Sequence, residues 1–197
     1  MIEGGGGADT LRISVDVNLP ATLVGGDGND TMFGGRGDEW LIGEAGNDEI
    51  YAGDGNDIVH AGAGNDMVYG GDGNDTILGL NGNDVLGGGW GQDSLDGGRG
   101  GDHLLGENSN DFLEGGPDND ILDGGAGTDT LYGGDGNDYL IGGRGIRDSM
   151  RGGMGNDKFR ADDILGNGDS MWGEAGFDVL VSAADADDLF VRGPQTR

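Results

Sequence analysis

GGDGNDTIL, Gly70 to Leu78, and GGDGNDYLI, Gly133 to Ile141, are two copies of one nine-residue pattern, GGxGxDxUx, in which U is apolar. Thirteen such blocks run from Gly25 to Ile141 without a slip in phase. A period sustained over that much of a chain marks a repeat architecture, in which each unit buries its apolar side only by stacking on its neighbours. The first six residues of a block are turn chemistry. Glycines supply positive φ, and Asn-Asp pairs tolerate left-handed conformations while hydrogen-bonding their own backbone. The last three, such as Thr76-Ile77-Leu78, read as a short strand with alternating faces. The eighth position is Met32, Leu41, Ile50, Val59, Val68, Ile77, Leu86, Leu95, Leu104, Leu113, Leu122, Leu131 and Leu140, apolar every time. A flexible Gly/Asp-rich linker has no need of that discipline.

A turn plus a strand reverses the chain once per block, so two blocks make one coil of 18 residues. Block n then stacks on block n+2. The predicted fold is all-β: a right-handed parallel β-roll (β-solenoid) of two short-stranded parallel sheets, about 30 Å long over the phased blocks at about 4.8 Å per coil. Its core is thin. One apolar side chain per block contributes about 2 kcal/mol, far below a backbone entropy cost of about 1–2 kcal/mol per residue. Something other than the core must hold the coils together.

Composition points the same way. With 49 Gly, 3 Pro and a net charge of -28 in 197 residues, and Leu, Ile, Val and Phe at about a fifth of the chain, an uncompensated chain repels itself into an expanded coil. Ten basic residues against 38 acidic ones oppose a nucleic-acid partner and an anionic membrane. There is no cysteine, which excludes disulfides and thiolate zinc sites, and no apolar run of about 18 residues that would span a bilayer. MIEGGGGADT at the start lacks the basic and apolar regions of a secretory signal peptide. A single domain over 1–197 is expected, with irregular repeats at 4–24, phased repeats at 25–141, degenerate repeats at 142–181 and a tail at 182–197. GGGGADTLR (Gly4 to Arg12) opens the chain, and Ile13 to Val24 departs from the pattern while keeping Leu23 at the apolar position. GGRGIRDSMR (Gly142 to Arg151) carries one extra residue before Asp148, Gly152 to Arg160 recovers the motif, Ala161 to Trp172 is degenerate, and Gly173 to Val181 is the last recognisable unit.

The chemistry lies at the sixth position: Asp30, Glu39, Asp48, Asp57, Asp66, Asp75, Asp84, Asp93, Asp102, Asp111, Asp120, Asp129 and Asp138. Stacking brings the carboxylate of block n to about one strand spacing from that of block n+2, and a column of like charges at that distance requires cations. Glycine-rich turns expose carbonyls without side-chain obstruction. A carboxylate pair with several carbonyls is an all-oxygen, soft-geometry environment that suits Ca²⁺ over Mg²⁺ or Zn²⁺. Thirteen blocks paired n with n+2 leave 11 potential sites, so 11 divalent ions would bring +22 against -28.

GGxGxDxUx resembles the repeats-in-toxin (RTX), or haemolysin-type calcium-binding, nonapeptide, over nearly the whole chain. The resemblance implies a parallel β-roll with up to about 11 calcium ions between stacked turns. The ligands it implies are the motif carboxylates, Asp157 of GGMGNDKFR included, and glycine carbonyls such as Gly53, Gly55, Gly62, Gly64, Gly71 and Gly73. It further implies an extracellular protein, exported by a type I route and folding in calcium outside the cell. Such modules serve as appendages of secreted enzymes, toxins or adhesins, alginate epimerases, proteases and lipases among them. The ending DDLFV, Asp187 to Val191, resembles the acidic-then-apolar close of a type I signal, although GPQTR follows it. Departures are expected to weaken single sites: Glu39 for Asp, Leu80 for the second glycine, Ser109 and Asp118 for the fourth, and the insertion near Arg147. The best sites are expected between Asp48 and Asp102, the poorer ones around Asp111 and Asp120.

Other readings fare worse. An EF-hand needs helices, which glycine at this density opposes. Catalysis is not expected: His60 and His103 fall in blocks of opposite parity and so on opposite sheets, HExxH is absent, and Ser94, Ser109 and Ser149 have no base placed by a motif. A strip of outward side chains, Phe33, Tyr51 and Tyr69 with Met67 and Val85 beside them, is a candidate surface for polysaccharide or another domain. On the other sheet Trp40, Ile42, Ile58 and Leu78 face outward. Ordinary β-propensity explains both rows equally well.

Overall fold

The structure, a computed structural model, describes residues 1–14, 18–145, 147–161, 168–182 and 189–192. It is built entirely of strands and turns among those residues, arranged as two parallel sheets of eleven and ten strands. Each sheet takes every second strand along the chain, from Ile2–Gly6 to Leu189–Val191 in the first and from Thr10–Arg12 to Val179–Ser182 in the second. This is the expected parallel β-roll. Cα partners in the phased region lie 18 residues apart, as in Ser94 with Thr76 and Leu95 with Ile77.

Most strands of the phased region are longer than the three residues read from the repeat, although Thr31–Phe33, Ile121–Asp123 and Tyr139–Ile141 keep to three. Thr76–Asn81 (TILGLN) runs six, through the first three positions of the next block. The first-position glycine continues the alternation as an inward residue, buried like Ile77 two places before it. The bend comes at the second and fourth positions, where Gly71 and Gly73 have φ of 115° and 138°. A Cβ on either would drive into the carbonyl oxygen of Gly53 or Gly55 one coil away. Glycine is needed there on two counts, left-handed backbone and coil-to-coil contact.

All thirteen eighth-position side chains are fully buried, and Leu11, Leu23, Met150, Phe159 and Met171 extend the same row beyond the phased blocks. Leu23 keeps its place in the apolar row and pairs with Leu41. Asp16 within that segment lies outside the described residues. Ala161 to Trp172 still ends in a strand, Ser170–Trp172. At the tail, Leu189–Val191 joins the first sheet beside Ser170–Trp172, and the Phe190 ring lies 5.5 Å from that of Phe159. The apolar part of DDLFV is thus a strand of the roll, whereas Asp187 lies outside the described residues.

The Asn-Asp pairs do not bond their own backbone as expected. Asn65 Oδ1 accepts from the N–H of Asn83, and Asn47 Oδ1 from that of Asn65, each one coil away. Fifth-position asparagines therefore form exposed ladders along the rod. The register of the repeat, rather than local turn geometry, decides their partners.

Candidate metal centres

The sixth-position carboxylates form two columns, one along each turn edge. Down the first, nine bonds connect ten residues, Asp9, Asp30, Asp48, Asp66, Asp84, Asp102, Asp120, Asp138, Asp157 and Asp178, the N–H of each donating to Oδ1 of the next. Down the second, seven bonds connect eight residues, Glu39, Asp57, Asp75, Asp93, Asp111, Asp129, Asp148 and Asp169. Every sequence-predicted carboxylate is in a column. Asp9, Asp148, Asp169 and Asp178 were not among the candidates, although each opens the same Asp-x-apolar triplet: Asp9-Thr10-Leu11, Asp148-Ser149-Met150, Asp169-Ser170-Met171, Asp178-Val179-Leu180.

Below the first residue of each column, the ladder uses one oxygen of each carboxylate. The other, Oδ2, has no hydrogen-bond partner among the described residues at Asp30, Asp48, Asp57, Asp66, Asp75, Asp84, Asp93, Asp102, Asp111, Asp120, Asp129 and Asp138, though these residues are at most 3% exposed. Stranding a carboxylate oxygen out of water costs several kcal/mol unless something meets it. The oxygens face voids that a methyl group would fill. A Cβ on Gly79 would lie 2.5 Å from Asp84 Oδ2 and 2.6 Å from the Gly97 carbonyl oxygen; on Gly106, 2.6 Å from Asp111 Oδ2 and 2.5 Å from the Gly124 oxygen. Carboxylate and carbonyl from successive coils therefore point at common space.

Burial raises the pKa of Glu39, of the column aspartates from Asp48 to Asp138 and of Asp157, against the lowering effect of the N–H bond each accepts. Coulombic repulsion within the column or from nearby acids adds to the rise. Asp57, Asp66, Asp75 and Asp120 are pushed up to about 7 and Asp111 to about 8. Asp84, Asp93, Asp102, Asp129 and Asp138 rise to about 6, and Asp157 to about 7. Glu39 and Asp48 are also raised by burial.

No three His, Cys, Asp or Glu side chains converge among the described residues. A hard cation held here takes at most two carboxylates per gap and completes its shell from carbonyls. The six glycines singled out from the sequence, Gly53, Gly55, Gly62, Gly64, Gly71 and Gly73, all have positive φ. Each abuts a carbonyl of the preceding coil. The donor set is oxygen throughout, which fits calcium.

The sequence departures leave the backbone intact. Leu80, Ser109 and Asp118 hold φ of 80°, 85° and 85° in place of glycine, as do Glu44, Glu107 and Glu174 at second positions. The insertion at Arg147 was expected to disrupt the column. Instead the Asp129 N–H reaches Asp148 Oδ1 at 2.9 Å and the Asp148 N–H reaches Asp169 Oδ1 at 2.8 Å. The extra residue is absorbed in the turn, where Arg147 takes φ of 64°.

The outward aromatics form a ladder. Phe33 stacks on Tyr51 and Tyr51 on Tyr69, each at 5.2 Å and within 14° of parallel, and the Arg12 guanidinium covers Phe33 at 3.9 Å. The Tyr51 hydroxyl donates to Glu49. The facing sides of these rings are thus spent on one another, while Tyr69 has Gly87 as its next neighbour in the row. His60 and His103 lie on opposite sheets.

A parallel β-roll with two files of buried acids opening on carbonyl-lined voids is a metal-holding solenoid. The family model for the RTX calcium-binding nonapeptide repeat (4 copies) matches residues 22–38, 33–68, 61–95, 69–104, 87–122, 96–131, 114–146 and 164–193. The chain belongs to the RTX family of calcium-binding repeats, and its repeats form a calcium-binding β-roll. No curated protein matches it.

Proposed function

We propose that the chain is a non-enzymatic, extracellular module, a single β-roll domain over 1–197 in which calcium is the folding cofactor. The observation that carries this reading is the double column of buried carboxylates, in which Oδ2 of Asp30 and of every sixth-position aspartate from Asp48 to Asp138 lacks a partner among the described residues. Asp30, Asp48, Asp57, Asp66, Asp75, Asp84, Asp93, Asp102, Asp111, Asp120, Asp129, Asp138 and Asp157 would hold the ions together with carbonyls of the turn glycines. Eleven ions would serve the phased blocks, and the added column members make room for more. Calcium would supply positive charge between coils, so that binding and folding free energy become one quantity. Secretion by a type I route, and service as an appendage of a secreted enzyme, toxin or adhesin, follow from family membership and remain part of the proposal.

Circular dichroism during a calcium titration tests it. A cooperative coil-to-β transition is expected at roughly micromolar to millimolar calcium, the range of calcium sensors and extracellular modules. A chain already β-rich in chelator rejects the coupling. A second reading, docking of polysaccharide or another domain on the Phe33–Tyr51–Tyr69 strip, draws on the 250 Å³ cleft that Phe33 and Tyr51 share with Arg12 and Arg36.

A further inference from the structure

At the head of the second column the repeat pattern stops. Among the described residues, Leu19 to Ala21 lie over Glu39 in place of a glycine-rich turn, and the Trp40 N–H donates to the Ala21 carbonyl at 2.8 Å. Deeper in the column, one carboxylate oxygen accepts from the carboxylate residue one coil earlier. Glu39 has no such donor. Its Oε2 curls back to accept from the Gly35 N–H of its own turn, 2.9 Å away. Its Oε1 has no partner among the described residues, although Glu39 is only 2% exposed. A Cβ on Gly37 would stand 2.6 Å from the Leu19 carbonyl oxygen and 2.8 Å from Glu39 Oε1. Within the repeats the equivalent point, at Gly127, is crowded far more closely by the Ser109 carbonyl. A 360 Å³ cleft lined by Pro20, Asp38, Trp40 and Asn56 adjoins Glu39.

We propose that this is an end site for a divalent cation, built by Glu39 Oε1 and the Leu19 carbonyl in place of a second repeat turn. It rests on the calcium reading of the columns, but its second ligand, Leu19, lies outside the phased repeats. The longer arm, which reads from sequence as a weakening, carries the carboxylate back over its own turn to the space it shares with the Leu19 carbonyl. A cation there ties the non-repeat segment at Leu19 to the first complete turn. The N-terminal coil is then ordered by metal where repeat-to-repeat stacking is missing.

Terbium luminescence tests the site, because Trp40 lines the cleft and can sensitise a bound lanthanide. The full chain would carry Trp90→Phe and Trp172→Phe, leaving Trp40 as the sole tryptophan donor. Sensitised Tb³⁺ emission should appear, survive Asp57→Asn, which removes the neighbouring repeat site, and fall at least tenfold in Glu39→Gln at equal Tb³⁺. Gln keeps an acceptor for the Gly35 N–H, and circular dichroism in calcium checks that the roll still forms. If Glu39→Gln unfolds, the Asp57→Asn result decides alone: emission lost there overturns the end site. Emission retained in a folded Glu39→Gln, or absent from the Trp40-only chain, also overturns it. Calcium-dependent folding that persists in those cases leaves the column reading standing, whereas a wild-type chain indifferent to calcium sinks that reading instead.

Discussion

Asp75→Asn should change the roll in opposite directions with and without calcium. Asp75 sits mid-column, 1% exposed, its Oδ1 accepting from the Asp57 N–H at 2.8 Å and its N–H donating to Asp93 Oδ1 at 2.8 Å. Asparagine keeps an oxygen for the Asp57 N–H, so the substitution isolates the charge. In chelator that charge is a burden. Burial first, and then Asp93, push the Asp75 carboxyl to about 7, roughly three units above an ordinary aspartate, or about 4 kcal/mol against the ionised folded form. Removing the charge should stabilise the calcium-free roll by up to that order at about pH 8. In calcium the same change removes a charged ligand from the two gaps that Asp75 borders. Charge-assisted contacts contribute about 1.5–3 kcal/mol, so the calcium midpoint should rise about tenfold or more. The residual β content in chelator, denaturant melts in saturating calcium and a calcium titration by circular dichroism test both directions. Lower β content of the variant in chelator, or an unmoved midpoint, would refute the idea that cations sit against this carboxylate.

The raised acids set a pH dependence. A carboxyl whose folded pKa exceeds its unfolded value of about 3.9 favours folding below that value and loses the contribution as pH rises through the folded pKa. In chelator the roll should therefore gain β structure on acidification from about pH 8 to about pH 5, across the interval of about 6 to 8 set by Asp84, Asp75 and Asp111; a chain less ordered at the lower pH contradicts this. Gly71→Ala should cost several kcal/mol, since its Cβ meets the Gly53 carbonyl at φ of 115°. Gly87→Ala should cost under about 1 kcal/mol, its nearest neighbour being Glu107 Oε1 at 3.3 Å; similar melting shifts for the two would argue against stacked carbonyl columns. Replacing Tyr51 and Tyr69 together with Ser breaks the ring stack and should cost about 1–3 kcal/mol. Glycan or partner capture unchanged in that variant removes the strip from consideration.

Much of this site is legible in the repeat, and the limits are instructive. Asp157 was found because its block recovers the full motif, while Asp148 was passed over because an insertion precedes it. In three dimensions the Asp148 carboxylate stays in register despite the insertion, so phase is a stricter filter than the fold applies. Leu80, Ser109 and Asp118 looked damaging because glycine suits positive φ. Stacked coils on both sides hold them at that φ regardless. The asparagine ladders were missed because an Asn-Asp pair taken alone has its nearest partners in its own turn, and only stacking offers better ones.

By itself the sequence determined the period, the apolar row, the acid at every sixth position and hence the coil of 18 residues. Those follow from local spacing, which a repeat carries without reference to anything distant. Tertiary structure alone decided which carboxylate oxygen is bonded and which is stranded, where strands extend past three residues, and what covers Glu39. These depend on the distance between coils and on which backbone group faces which, quantities set by packing between segments far apart in the chain.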